Sequence, residues 1–227
     1  MKKGAWRMIK TKKICKLYNT GAGAVEALTD VSLHIAPGEF VAITGASGSG
    51  KTTLMNILGC LDNATSGEYF LDGEEVSRFR PSRQAMVRNR KIAFIFQGFN
   101  LLPALTAAEN TALPLIYRGM NKREALERAE TALMQVGLSM RSGHKPSELS
   151  GGQQQRVAVA RAIAADAPVI LADEPCGSLD SRSGNRIMEL LHDENSRGKT
   201  IVLITHDRNA AATAQRKIEV ADGRIML

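Results

Sequence analysis

Four short runs along this chain are apolar almost throughout: "FVAIT" (40–44), "IAFIF" (92–96), "VILAD" (169–173) and "IVLIT" (201–205). A strand wetted on one side alternates apolar and polar residues, so runs this uniform predict strands covered on both faces. Stretches of helical composition separate them, and together they predict a mainly parallel α/β sheet. By contrast, "VEALTDVSLHI" (25–35) alternates, and with "GEYFLDGEEV" (67–76) it predicts a smaller antiparallel β-subdomain near the N-terminus.

Between residues 105 and 165 the pattern turns helical. "NKREALERAETALMQVGL" places Ala125, Leu126, Ala129, Leu133 and Val136 on one face with charges opposite. We read about 105–165 as an α-helical subdomain inserted between core strands of a single domain spanning 1–227.

A length of 227 residues suits one large α/β domain or a core with such an insertion. The 30 Lys+Arg against 23 Asp+Glu leave a formal charge of +7, which fits nucleic acid, a lipid surface or polyphosphate without choosing among them. Cys15, Cys60 and Cys176 are odd in number and scattered, which argues against a disulfide or zinc framework and for a reducing compartment. The N-terminus is basic, but no apolar segment follows it as in a signal peptide. The most apolar stretch, "VAVARAIAADAPVILA", is broken by Arg161, Asp166 and Pro168, so no membrane span is expected.

The strongest chemical signal is "FVAITGASGSGKTTLMNILG", a strand, a glycine-rich turn and a helix. It fits G-x-x-x-x-G-K-[ST] through Gly45, Gly50, Lys51 and Thr52. The turn Gly45, Ala46, Ser47, Gly48, Ser49, Gly50 curls its amides inward, and Thr53 continues the helix whose dipole favours an anion. Lys51 is expected on the β- and γ-phosphates, with the Thr52 hydroxyl on Mg²⁺.

Other strand ends bring the remaining chemistry. "VILADEP" sets Asp173 and Glu174 just past a buried strand, where ligands of open α/β sheets bind. Asp173 is assigned to magnesium and Glu174 to polarising the attacking water, although Glu174 would serve equally as a cap or ion-pair partner. "IVLITHD" ends with His206, placed for the γ-phosphate. "IAFIFQG" ends with Gln97, whose neutral amide suits both metal and water. Convergence of these ends favours in-line attack of water on the γ-phosphorus.

A second anion cradle follows in "ELSGGQQQRVAVARA", where a serine and two glycines open a helix. Locally, Ser150 reads equally well as a helix cap. Taken in order, "GASGSGKTT", "FQ" at 96–97, "LSGGQQQR", "VILADEP", "GSLD" and "THD" resemble the ATP-binding-cassette (ABC) family over nearly the whole chain. The resemblance implies an ATPase in which two copies pack head to tail. Ser150, Gly151, Gly152 and Gln153 of one copy would then bind the nucleotide held by the other, with Ser178 and Asp180 at the dimer contact. It also implies that Tyr18 stacks on adenine, although Tyr18 would fit a core position too. Cys176 departs from the threonine more common in the family.

The finer motifs look like the macrolide-exporter and lipoprotein-release branch, which implies a homodimer driving a permease for export, lipoprotein release or mechanotransmission. Because the chain stops at Leu227, the permease is expected as a separate subunit, with a periplasmic adaptor as a further candidate partner. The cassette itself is expected as a peripheral protein at the cytoplasmic face of the inner membrane. The apolar loop "GFNLLPALT" predicts that a permease helix docks beside Phe99–Leu102. The alternative function is a cell-division-type cassette that signals without transport. A soluble cassette acting on nucleic acid is disfavoured, because the large insertions or tandem repeats of such proteins are not seen.

Overall fold

The computed structural model describes residues 8–21, 23–177 and 179–226. From the N-terminus run β1 (Ile9–Thr20), β2 (Gly23–Val31), β3 (His34–Ile35), β4 (Phe40–Thr44), α1 (Lys51–Leu58), β5 (Ser66–Leu71) and β6 (Glu74–Glu75). Next come α2 (Pro81–Lys91), β7 (Ile92–Ile95), α3 (Ala107–Tyr117), α4 (Lys122–Gln135), α5 (Gly151–Ala165) and β8 (Val169–Asp173). The chain closes with α6 (Ser181–Ser196), β9 (Thr200–Ile204), α7 (Arg208–Ala212), β10 (Arg216–Ala221) and β11 (Arg224–Met226).

The larger sheet has the order β11-β10-β4-β9-β8-β7 and is parallel except for the β10–β11 pair. Register aligns Val41 with Val202 and Leu171 with Val202, so the apolar runs lie side by side. Successive side chains of a strand point to opposite faces. In β8, Val169 and Leu171 join the core that holds α1, while Ile170 and Ala172 join the core that holds Ile187, Leu190 and Leu191 of α6. Covering on both sides is the physical reason these runs carry no polar alternation.

The second sheet, β2-β1-β5-β6 with β3 also on β1, is antiparallel throughout. Ile9, Ile14, Leu28, Ile35 and Tyr69 from this sheet meet Leu54 and Leu58 of α1 in one buried cluster.

Helices α3, α4 and α5 pack against one another through small side chains, including Ala112, Ala125, Ala129, Ala132 and Ala160. Thr106 starts α3 with a capping box: its hydroxyl accepts the Glu109 N–H at 3.2 Å, and Glu109 Oε2 accepts the Thr106 N–H at 3.0 Å. On α4 the buried stripe is Ala125, Ala129, Ala132, Leu133 and Val136. The expected Leu126 instead lies half-buried at its edge, because Ala132 completes the face.

Candidate functional site

The loop between β4 and α1 is shaped by glycines that no other residue could replace. Gly45 has φ +152°, and a Cβ there would come within 2.1 Å of the Val220 carbonyl oxygen. Gly50 has φ +102°, and a Cβ would come within 2.6 Å of the Ala27 carbonyl oxygen. The loop thus lies tight against β10 and β2, with Ser49 buried beneath it. Lys51 Nζ donates to the carbonyls of Gly45 at 2.9 Å and Ala46 at 2.6 Å, so its ammonium sits at the mouth of the curl.

Beside this loop opens a hollow of about 410 Å³, lined by Gly48, Gly50, Lys51, Thr52 and Thr53 with Val25–Ala27 and Asp222–Gly223. None of Ser150–Gln153 lines it. Tyr18 stands at the exposed edge of β1. Its hydroxyl donates to Asp62 Oδ2 at 2.8 Å, and Lys16 Nζ lies 4.7 Å from its ring centroid. Lys16 also donates to Asp62 Oδ1 at 2.7 Å, so the ring is held upright by its neighbours. Burial, and then the Asp62 contact, push the Tyr18 phenol above its ordinary value.

At the end of β8, Asp173 is half-buried. Burial and the charge of Glu174 raise its carboxyl above the ordinary range, while Lys51 opposes them. Glu174 takes a left-handed backbone, φ 44°, rare for a residue with a side chain. The conformation turns its carboxylate toward the end of β9. Oε1 accepts the His206 N–H at 2.8 Å and lies 2.6 Å from His206 Nδ1, while Oε2 accepts the Thr205 hydroxyl at 3.1 Å.

Thr205 was not expected as a functional residue. Its buried hydroxyl oxygen also accepts the Asp207 N–H at 3.0 Å, fixing the turn that presents His206. Glu174 and Thr205 are far apart in sequence, and only the β8–β9 pairing joins them. Gln97 comes in from the end of β7: a Cβ on Gly177 would lie 3.5 Å from both its Nε2 and the Glu174 Cβ. The ends of β7, β8 and β9 therefore meet around Glu174.

Helix α5 opens with its own capping box. Ser150 Oγ accepts the Gln153 N–H at 3.3 Å, and Gln153 Oε1 accepts the Ser150 N–H at 2.9 Å. Gln153 is thereby committed to the cap. The N–H groups of Gly151 and Gly152 have no acceptor among the described residues, and the Ser150 O–H remains free to donate. A Cβ on Gly151 would touch only the Phe99 ring, at 3.8 Å, whereas one on Gly152 would lie 3.2 Å from Ser183 Oγ.

Asp180 caps α6, accepting the Ser183 N–H at 3.0 Å and the Ser183 hydroxyl at 2.7 Å. Those bonds hold its carboxyl below the usual range. Ser178 lies outside the described residues. The Cys176 thiol donates to the Gly184 carbonyl at 3.4 Å, and burial pushes it up to about 11, which leaves it protonated and unreactive at neutral pH.

Thr52, Gln97 and Asp173 offer a hydroxyl, an amide oxygen and a carboxylate. Such oxygen donors fit a hard divalent cation that keeps most of its water. Asp173, uncomfortable as an anion beside Glu174, is the one such a cation would relieve. Among the described residues no group of three or more His, Cys, Asp or Glu side chains could hold a metal alone.

A family model described as ABC transporter matches residues 28–177. The macrolide export ATP-binding/permease protein MacB of Mannheimia succiniciproducens is 51% identical over 219 residues, 96% of this chain and 34% of its own length. MacB of Neisseria meningitidis serogroup A is 49% identical over the same share of the chain. The chain thus spans about a third of the length of these relatives. Among solved structures, the dimeric bacterial ABC transporter cassette MJ0796 is similar with a TM-score of 0.92 and 47% identity over 97% of each chain. A post-hydrolysis dimer of the same cassette, bound to ADP and phosphate, is 46% identical with a TM-score of 0.92.

Proposed function

The chain belongs to the ABC transporter family, as an ATPase cassette of the macrolide-exporter branch, and from that premise we propose that two copies close head to tail and split ATP between them to drive a membrane permease. One observation carries this reading. The chain has two anion cradles, and the second, at Ser150–Gly152, lies outside the hollow beside the first and offers amide N–H groups that the described residues leave unused. A phosphate bound on one copy's Gly45–Thr53 loop would take those N–H groups from the other copy. A two-fold arrangement satisfies both sites at once.

In the mechanism so proposed, the loop amides and Lys51 hold the phosphates. Tyr18 offers its ring to the base. Thr52, Gln97 and Asp173 would hold Mg²⁺, which supplies charge stabilisation on the phosphate oxygens. Glu174 orients a water molecule in line with the γ-phosphorus and accepts its proton. His206 steadies Glu174 through Nδ1 and leaves its other ring nitrogen for the phosphate. Asp180 sits at the contact between copies.

The permease reading rests on the relatives' description as ATP-binding/permease proteins. Among the described residues no helix is long and apolar enough to cross a membrane. In this reading the cassette acts at the cytoplasmic face of a permease, with a periplasmic adaptor as a further partner. A permease helix would dock beside Phe99–Leu102, where Leu102 is 47% exposed. Export, lipoprotein release or transport-free signalling would then be set by the permease.

Complementation tests the shared site. Lys51→Ala disables the first cradle, and Gly151→Asp disables the second without a clash inside the chain, since a Cβ there meets nothing closer than Phe99. Each variant alone should be inactive. Mixing them should restore ATP hydrolysis, because one site of the mixed dimer is intact. No recovery from a mixture that forms dimers would refute the head-to-tail reading.

A further inference from the structure

Gln155, on the second turn of α5, is 1% exposed, and neither its Nε2 nor its Oε1 has a hydrogen-bond partner among the described residues. The other buried side-chain atom so placed is the hydroxyl oxygen of Thr111 in α3. An amide shut away from water without partners opposes folding, and an apolar side chain of the same length would fill the space without that penalty. A buried amide in this condition calls for a second arrangement in which it is used.

Helix geometry shows where the amide is aimed. At 3.6 residues per turn, Gln155 projects roughly 40° round α5 from Gly151 and roughly 60° from Gly152, between the two. Gly151 faces the Phe99 ring, and Gly152 faces Ser183 Oγ and the Leu179 side chain. Side chains on a helix also lean toward its N-terminus, so the amide lies beneath the serine-glycine tip. The junction it enters is formed by the segment after Gln97 on one side and the start of α6 on the other.

The loop that reaches α6 begins at Glu174. Its turns are closed by Gly177 N–H to the Glu174 carbonyl and Leu179 N–H to the Cys176 carbonyl, each at 3.0 Å. At its far end the Ser183 hydroxyl is already given to Asp180 Oδ2. The Leu179 carbonyl accepts no hydrogen bond among the described residues. An unused donor and an unused acceptor therefore border the same junction.

We infer that Gln155 is a positioning residue for ATP hydrolysis: when two copies close, its Nε2 donates to the Leu179 carbonyl and ties the tip of α5 to the loop that begins at Glu174. The inference rests on the head-to-tail reading above and names the side chain within one copy that joins the two surfaces the other copy touches. Ser150–Gly152 and Asp180 would both be pressed by the partner, and Gln155 lies behind both. In the lone chain the bond is unmade, so tip and loop move separately. Seating of the partner at both surfaces makes it, and Glu174 is then held for the attacking water. Gln155 touches neither nucleotide nor water and acts only through the loop.

The test replaces Gln155 by Met, which matches its length and helix propensity, and by Leu as a second apolar shape. The urea midpoint of the nucleotide-free chain should hold or rise in both, because an unpaired amide is removed. The kcat for ATP should nevertheless fall about tenfold, with KM within about twofold. Hydrogen exchange supplies the readout that a packing defect would not move. In a Glu174→Gln background, ATP should slow exchange of the Gly177 and Leu179 N–H groups, and Gln155→Met should remove about tenfold of that protection.

A lowered midpoint in both variants would show that the amide is already bonded in the lone chain, for instance to a buried water, and would overturn the inference. Turnover like wild type, or slowed turnover with the protection intact, would overturn it too. Complementation between Lys51→Ala and Gly151→Asp separates the two readings. Its failure removes the head-to-tail arrangement and this inference together, whereas its success beside an active Gln155→Met removes this inference alone.

Discussion

His206 Nδ1 lies 2.6 Å from Glu174 Oε1, and the same oxygen accepts the His206 backbone N–H at 2.8 Å. A carboxylate held by both ring and backbone is fixed in direction, as a base must be. Glu174→Gln keeps the shape and an acceptor oxygen but removes the basicity. Phosphate release should fall by about 10²–10⁴ while ATP binding persists. An ATP-bound dimer should then accumulate on size-exclusion chromatography. Turnover near the wild-type rate would remove Glu174 from this role.

Thr205 holds the other oxygen of Glu174 and the turn before Asp207. Thr205→Val keeps the volume and deletes both bonds. The expected result is a fall in kcat of about tenfold, equivalent to about 1.4 kcal/mol and within the range expected for two neutral hydrogen bonds, with little change in KM. Thr205→Ser should recover most of the rate. A loss in Thr205→Ser with none in Thr205→Val would show that packing of the methyl group, and not the hydroxyl, matters.

Lys51 is the cation at the mouth of the phosphate curl. Lys51→Ala removes a charge-assisted bond worth about 1.5–3 kcal/mol, so nucleotide affinity should drop about 10–100-fold in a fluorescent-nucleotide titration. Lys51→Arg should not restore it, because the planar fork does not match a point-charge site. Unchanged affinity in Lys51→Ala would exclude the lysine from the phosphates.

Asp62 ties the N-terminal sheet to the turn after α1 by accepting from Lys16 and Tyr18. Burial works to raise its carboxyl, but hydrogen bonds from Lys16, Tyr18 and the Asn63 amide outweigh that and hold it below the ordinary value. A lowered folded-state value means the contribution is complete above the unfolded carboxyl range, near pH 4, and disappears as pH falls through the folded value. The urea midpoint of Asp62→Asn should lie below wild type at pH 7 and converge with it in strong acid. A gap that widens on acidification would contradict the sign.

What was legible in the sequence follows from what each segment must satisfy. "FVAIT" and "VILAD" became strands at the stated residues because both faces are buried, which leaves an unambiguous apolar run. The phosphate loop was legible because its backbone tolerates only glycine at Gly45 and Gly50. Helix α2 was not singled out. Gln84 is its only buried residue, so "PSRQAMVRNRK" carries no apolar period to read. Strand β1 hides its length behind the irregular register around Lys13, which has φ 48°. Thr205 stayed invisible because a lone threonine at a strand end has no signature until the neighbouring strand brings Glu174 beside it.

Arg161 sends its two terminal nitrogens to the Asn100 carbonyl at 2.7 Å and the Phe99 carbonyl at 2.9 Å, two successive left-handed residues. At the other end of the same helix, Gly151 faces the Phe99 ring. The segment after Gln97 is thus riveted to α5 at its backbone and leans on the tip of α5 with its aromatic side chain. A displacement of that segment would meet α5 at both places at once, and neither contact lies in the nucleotide hollow. Segment and helix would therefore shift as one piece.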